Sequence, residues 1–383
     1  DPGFQPTADD ADLIVEMCRN LDGMPLAIEL AAARTRSLSV AEVAERLTGG
    51  LDVLSGGPRG GSERQRTLEA TIDWSYQLLG PGEQDLFARL AVLHGSFDLR
   101  TIEAVAPEHW SPGRVLGAIE RLIDSSVVTT RRLGGSTRYR MLETLRVFAS
   151  GRLDASGDAT SVRGQLLDYY LRKLAGAEDD LRGPDQLECL SAIEADLDTV
   201  RSLLDWSVAN APDRGLQLAG MLGWFWYLRG NGAEARHHLG AMLEAASPSA
   251  DDRSRGQAEF FLSLCDPEPQ RALSGFEAAR ESYEAADDKR GVANATAMLA
   301  AWGSDPASTR ELFERAALLS ANVEYDWGVA LIRFLQAGAA AVVDDMAGSA
   351  RLAEEASARF ADLGDRWGRG YSLYTLGVAQ RAM

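Results

Sequence analysis

The stretch Val127-Val128-Thr129-Thr130-Arg131-Arg132-Leu133-Gly134-Gly135-Ser136-Thr137-Arg138-Tyr139-Arg140-Met141 decides the fold. Its first four residues are β-branched, which favours a pleated backbone over a helix. Gly134-Gly135 supplies a turn, and Thr137 to Met141 returns as a second strand, so the segment predicts a β-hairpin. Everything around it has helical periodicity. Helical patterns cover Thr67–Leu79, Gly82–Leu93, Leu99–Ala106 and Pro112–Asp124 before the hairpin, and Glu143–Leu153 after it. Three helices followed by a hairpin and a closing helix is the order of a winged helix, assigned here to residues 67–158.

Working outward, residues 1–50 read as a helical subdomain. Leu13, Ile14, Met17 and Leu21 form one apolar face, Asp22-Gly23 ends that helix, and Pro25 opens the next, where its missing N–H costs nothing. A third helix runs from Val40 to Leu47. Thr48 to Ser62 holds six Gly and one Pro, so residues 51–66 are assigned to a linker. Residues 159–383 show helices only, with Ile193, Leu197, Val200, Leu204 and Val208 as one apolar stripe and short breaks such as Gly183-Pro184.

The last third repeats itself. Asp288-Lys-Arg-Gly291, Tyr325-Asp-Trp-Gly328 and Asp365-Arg-Trp-Gly368 recur at spacings of 37 and 40, each followed by a small residue (Ala293, Ala330, Gly370). Tyr283 and Phe360 each stand eight residues before a Gly. Small residues at fixed points let paired helices approach closely, which predicts a tetratricopeptide-like α-solenoid. The fold class is therefore mainly α, with a helical subdomain, a winged-helix domain carrying a small hairpin, and helical repeats.

Composition narrows the function. The net charge is −18, a poor overall match to nucleic acid, although Trp110 to Leu153 carries eight Arg against three acids. No apolar run is long enough to span a bilayer, so no membrane partner is expected. Cys18, Cys189 and Cys265 are odd in number and scattered, which reads as buried thiols of a cytoplasmic protein. The start at Asp1, without an initiator Met, reads as a fragment of something longer. There is no Walker A loop, since Gly56-Gly57-Pro58-Arg59-Gly60-Gly61-Ser62 lacks the phosphate-reaching Lys, and no nucleophile elbow. His237 and His238 are neighbours on a helix, so they are expected to diverge by about 100° and not to share a metal. The sequence therefore predicts no enzyme, no metal site and no cofactor held by this chain alone.

Four segments carry a family resemblance. Leu21-Asp-Gly-Met-Pro-Leu-Ala-Ile-Glu-Leu-Ala-Ala-Ala-Arg34 resembles the GxP segment of NB-ARC modules in STAND-class signal-transduction ATPases. Arg64 to Leu79, with Asp-Trp-Ser-Tyr-Gln-Leu-Leu, is similar to the lead-in of their winged helix. Arg138-Tyr-Arg-Met-Leu-Glu-Thr-Leu-Arg-Val-Phe-Ala149 falls where relatives carry a Met-His-Asp motif, and Leu187 to Trp206 is similar to the segment that joins the module to its repeats.

The resemblance implies bacterial regulators of the SARP, LuxR or cyclase-associated type, in which ADP or ATP with Mg is bound by an upstream nucleotide-binding domain. That domain would be the partner of this chain. Gly23 and Pro25 would place a proline ring on the adenine. The phosphate-facing His of the family is Leu142 here, which cannot donate a hydrogen bond, and its Asp is Glu143; Arg138 or Arg140, on one shared strand face, would have to substitute. The winged helix would then be a lid, and the repeats would receive a protein or small-molecule signal. The competing expectation is a DNA-binding winged helix with a repeat tail, favoured by the basic hairpin. It is opposed by the helix Gly113–Asp124, which offers Arg114 and Arg121 beside two acids.

Overall fold

A computed structural model describes residues 8–20, 38–48, 79–125, 127–133, 136–303 and 305–383, with the single positions 28, 32, 35, 72 and 76. Gly23, Pro25, nearly all of the Gly-rich linker, the turn Gly134-Gly135 and most of the expected helix Thr67–Leu79 lie outside the described residues. The described residues are mainly α-helical, with one two-stranded sheet. The chain divides into two compact units, Asp1–Leu166 and Leu167–Met383.

In the first unit, α1 (Ala8–Asn20) and α2 (Val40–Thr48) pack through Met17, Val40 and Val43. A capping box starts α2: the Glu42 carboxylate accepts from Ser39 N at 2.8 Å, while Glu42 N donates to Ser39 Oγ at 3.2 Å. The winged helix follows. Pro81 and Ser111-Pro112 open α3 (Pro81–Arg89) and α5 (Pro112–Asp124), and Asp98 caps α4 (Leu99–Val105) by accepting from Thr101 N at 2.8 Å. A single 3-10 turn, Leu90–Val92, ends α3. Strands β1 (Val128–Leu133) and β2 (Ser136–Met141) pair antiparallel with Val128 opposite Met141 and Arg131 opposite Arg138, and α6 (Glu143–Ser156) closes the unit. Leu86, Phe87, Ile102, Val105, Ile119, Leu122, Tyr139 and Met141 form its core.

Sequence periodicity gave no warning of one element. Phe97 forms a one-residue bridge to Tyr139, donating to its carbonyl at 2.9 Å and accepting from its N–H at 2.8 Å. The hairpin is thereby tied to the segment before α4.

In the second unit, α7 (Ala159–Lys173), which crosses the division at Leu166, leads into a one-turn helix, α8 (Ala177–Asp180), and then α9 (Gln186–Asn210). Four helix pairs follow: α10 (Pro212–Arg229) with α11 (Gly232–Ala245), α12 (Asp252–Leu264) with α13 (Pro269–Ala285), α14 (Lys289–Trp302) with α15 (Pro306–Asn322), and α16 (Asp326–Val342) with α17 (Met346–Leu363). A last helix, α18 (Arg366–Ala382), ends the row. Each helix packs on the next, and α10, α12, α14, α16 and α18 also contact one another in sequence. Two rows of helices joined by short turns is the geometry of a helix-pair solenoid.

The repeated Asp-x-x-Gly motif has a local cause. Asp288 and Asp365 are helix N-caps, accepting from Gly291 N at 3.0 Å and from Gly368 N at 2.9 Å. A Cβ on Gly291 would overlap the Tyr283 ring, and one on Gly368 would overlap Phe360. In the middle repeat the position eight residues before Gly328 is Ser320, and the Tyr325 ring covers the glycine instead. Ala293 and Ala330 are buried as expected, but Gly370 is exposed with nothing within 4 Å of its Cβ position. It sits on the outside of α18 and plays no part in close approach.

Five turns share one device. Gly230, Asp287, Glu324, Asp344 and Gly364 each adopt a left-handed conformation directly before a helix N-cap. In each, the N-cap N–H reaches the carbonyl five residues back, as Tyr325 N does to Ser320 O at 2.9 Å. Three of the five are not glycine, and a Cβ in this region costs about 1 kcal/mol. Glu324→Gly, at an exposed position, is therefore expected to raise the stability of the repeat unit by up to about 1 kcal/mol, read as a higher midpoint in thermal unfolding.

Candidate functional sites in the winged helix and the repeats

The hairpin answers the question of where its arginines point. Val128, Tyr139 and Met141 face the core, so alternation puts Arg138 and Arg140 on the outer face with Thr129 and Arg131. Arg138 is not spread into solvent. Its Nε donates to Ser96 Oγ at 3.3 Å, an Nη donates to Ser96 O, and Asp98 lies 3.9 Å away. Arg140, Arg131 and Arg132 are exposed.

The arginines of α5 are also engaged. Arg121 pairs with Glu83 of α3, and the Arg114 guanidinium lies 4.3 Å over the Trp110 ring. Leu116 is the large apolar side chain that α5 leaves exposed. Leu142, at the position of the family's phosphate-facing His, is the N-cap residue of α6 and makes no side-chain capping bond. Glu143 is held by Arg146 at 2.8 Å, and Arg146 donates to Ala91 O at 3.3 Å.

The second unit holds a site that the sequence did not announce. The segment Ala177–Gln186 runs along the row of alternate helices and makes contact with one helix after another. Gln257 of α12 donates to Glu178 at 2.8 Å, Arg290 of α14 stands 3.6 Å from Asp179, and the Arg182 guanidinium lies 4.3 Å over Trp327 of α16. Gln186 donates to Asp365 at 3.1 Å and accepts from Trp367 N at 3.2 Å, at the start of α18. Trp224 of α10 donates to Leu181 O at 3.3 Å. Gly183-Pro184, which reads as a simple helix break, is the bend that lets this strap lie flat, with Pro184 against Gly364.

Arg182 is buried in this arrangement. Burial opposes its charge, but Tyr325, Glu178 and Tyr283 around it more than compensate and hold its pKa above the usual value. Its Nη1 donates to Glu178 at 2.5 Å. Burial in turn pushes the Tyr325 hydroxyl up to about 12 and Tyr283 well above its usual range. Beside Arg182, Trp224 meets Trp327 and Trp367 edge-on at 5.5 and 5.1 Å and stacks on Tyr227 at 5.2 Å. Trp327 and Trp367 each stand one residue before a motif glycine, and that repeated aromatic was the legible signal.

Two expectations need correction. His237 and His238 do not diverge enough to exclude a shared ion: one ligand atom from each, with one from Asp205, falls within a 4.8 Å set. The helical angle between neighbours fixes their Cβ directions, and imidazole rotation about χ1 and χ2 closes the gap. The three cysteines are free but half-buried rather than buried. Cys189 opens into a cleft with Lys173, Asp185 and Asp196, and burial pushes its thiol up to about 11. Among the described residues, no helix is long and apolar enough to cross a membrane.

A winged helix followed by a helical-repeat unit is the class that these two units define. Residues 79–154 match the family described as "Winged helix-turn-helix domain". The "Putative HTH-type transcriptional regulator Rv0890c" of Mycobacterium tuberculosis is 32% identical over 392 residues, covering 99% of this chain and 44% of that protein. This chain therefore spans less than half the length of that relative. The "Uncharacterized protein Rv0894" of the same organism is 39% identical over 161 residues, covering 42% of this chain and 41% of that protein. Among solved structures, the STAND protein with a tetratricopeptide repeat sensor PH0952 from Pyrococcus horikoshii overlaps 93% of this chain and 63% of its own, at 12% identity and a low TM-score of 0.36.

Proposed function

We propose that this chain is the regulatory portion of a STAND-type, ATP-dependent transcriptional regulator, with the winged helix as its nucleotide-state lid and the repeats as the scaffold that receives a signal. The observation that carries this reading is the commitment of Arg114, Arg121 and Arg138 to partners inside the winged-helix unit. A recognition helix reads bases with free donors at its surface, and α5 has spent its arginines on Trp110 and Glu83. The similarity to an HTH-type regulator along nearly the whole chain supports the regulatory role.

The chain acts as no enzyme in this reading. Leu142 presents no donor and Arg138 is already bonded, which supports leaving the nucleotide phosphate to another domain, with Arg140 as the remaining candidate on the hairpin. ADP or ATP with Mg belongs to the upstream nucleotide-binding domain, the partner against which the lid closes. The setting is the cytoplasm, with no membrane partner.

The second reading, a winged helix that binds DNA, is favoured by the exposed pair Arg131 and Arg132 on the hairpin. One experiment separates the two. The wild-type chain and the Arg131→Glu/Arg132→Glu variant are titrated with a fluorescent duplex pool at two salt concentrations, beside calorimetry with ADP. The lid reading expects no salt-dependent DNA binding in either protein and no measurable ADP affinity. Submicromolar, salt-sensitive DNA binding that the double reversal weakens by about tenfold or more would favour the second reading. Micromolar ADP binding would overturn the assignment of the nucleotide to another domain.

A further inference from the structure

Near the end of α9, Asp205 faces the adjacent pair His237 and His238 of α11, and one carboxylate oxygen and one nitrogen from each imidazole lie within 4.8 Å of one another. Neighbours on a helix leave its axis about 100° apart, so the convergence is made by the side chains, whose rings meet edge to face at 4.9 Å. His238 is the anchored member. Its side chain is 8% exposed, its ring stacks on Trp226 at 5.7 Å, and its Nδ1 stands 3.7 Å from Asp205 Oδ1. Trp226 is held in turn, because its Nε1 donates to Glu234 at 3.2 Å and Arg201 donates to both oxygens of Glu234 at 2.8 and 2.7 Å. This surrounding shell fixes the plane of the His238 ring without drawing on Asp205, as outer partners do around a metal ligand. Asp205 and His237 are exposed and have room to turn.

We propose that Asp205, His237 and His238 bind a divalent transition-metal ion of the zinc type, with solvent completing the coordination on the open side. The proposal stands apart from the lid reading of the winged helix. Its geometry is close to what the ion needs, since ligand atoms about 2.1 Å from a tetrahedral zinc lie about 3.4 Å from one another. The His238–Asp205 approach of 3.7 Å is nearly there, and rotation of the two exposed side chains closes the rest. The donor set selects the metal. Calcium and magnesium take oxygen ligands, whereas two imidazoles beside one carboxylate suit zinc and its neighbours, and the absence of a thiolate from the set removes the preference for monovalent copper. Charge agrees with this: Glu234 balances Arg201, so the Asp205 carboxylate is the charge that an arriving cation meets. Because Asp205 belongs to α9 and the histidines to α11, an ion held by all three fastens the helix that leads into the repeats to the first helix pair.

The test uses the untagged full chain, stripped with a chelator and titrated with zinc chloride in a calorimeter, beside thermal unfolding and spectra of the chain labelled with 15N-histidine. Zinc is expected to bind with one equivalent at micromolar affinity or better. At a hundredfold excess over the dissociation constant, the midpoint should rise by about 5–10 °C. Two of the four imidazoles should shift, those of His237 and His238, while His94 and His109 stay in place. Magnesium chloride at the same concentration should do none of this. His237→Ala changes an exposed side chain, so it should leave the metal-free midpoint where it is and weaken zinc binding by about tenfold or more. Asp205→Asn should act in the same direction, and it serves as the second variant. Zinc affinity unchanged in both variants, shifts at His94 or His109 instead, or equal binding of magnesium would each overturn the site. Zinc affinity weaker than about millimolar would overturn it too and leave Asp205 and His238 as an ordinary ion pair.

Discussion

Asp365→Ala is expected to lower the stability of the repeat unit by about 3–5 kcal/mol, the scale for removing one partner of a buried, charge-assisted network. The carboxylate is 1% exposed and accepts from three donors: Trp327 Nε1 at 2.6 Å, Gln186 Nε2 at 3.1 Å and Gly368 N at 2.9 Å. Truncation leaves all three unsatisfied at once, in the α16 tryptophan, the strap glutamine and the first turn of α18. At roughly 2–4 °C per kcal/mol for a unit of this size, the thermal midpoint should fall by about 6–20 °C. Amide exchange should rise first in α18 and in the strap. A loss below about 1 kcal/mol would show that the three donors find other partners and that the strap is not fastened through Asp365. Asp365→Asn keeps one carbonyl acceptor and should lose less than the alanine variant.

The second large effect is a matched pair at two glycines. Gly291→Ala is expected to destabilise the unit by about 1–3 kcal/mol, because the new methyl overlaps the Tyr283 ring and that ring is itself buried. Gly370→Ala, two motifs later and only two residues past Gly368, should do the reverse and stabilise by about 0.5–1 kcal/mol. Its position is open, and alanine costs less than glycine in a helix interior. Thermal unfolding of the two single variants decides the point. The same sign for both would mean that helix propensity, and not the fit of ring to glycine, governs these positions.

That pair also shows how far the sequence could be read. The Gly spacing correctly announced close packing, since a side chain missing at a fixed interval leaves room for a neighbouring ring once per repeat. It could not tell Gly368 from Gly370, because the side of α18 that faces Phe360 depends on how α17 and α18 cross. The winged helix was legible for a similar reason: its hairpin changes the period of the pattern from helical to alternating. The Phe97 bridge was not, because a strand of one residue has no period. The expected roles of Gly23 and Pro25 fall outside the described residues.

The strap and the aromatic surface beneath it were the least legible part. Arg182 sits beside Gly183-Pro184, a dipeptide that reads as a break, and its neighbours come from far along the chain. Gln257 is 79 residues from its partner Glu178, and Trp367 is 181 from its partner Gln186. No local pattern encodes pairings at that range. The arginines of the winged helix were visible as charges, but their engagement inside the protein depends on Ser96, which holds Arg138, and on Glu83, which holds Arg121, and a count of charges contains neither.

The strap has a consequence in time as well as in space. In an ordinary solenoid each repeat contacts its neighbours alone, so the row can grow from one end as the chain is made. Here Gln186 at the beginning of the unit waits for Asp365 near its end, 179 residues later. At a synthesis rate of about 5–20 residues per second, that wait is roughly ten to forty seconds. During it, Trp224 and Arg182 have emerged while Trp327 and Trp367 have not, and the aromatic surface that will lie beneath the strap stands uncovered. Helix α18 closes a ring begun by the strap, so a message cut short before residue 365 yields earlier repeats that lack the fastening between the strap and α18.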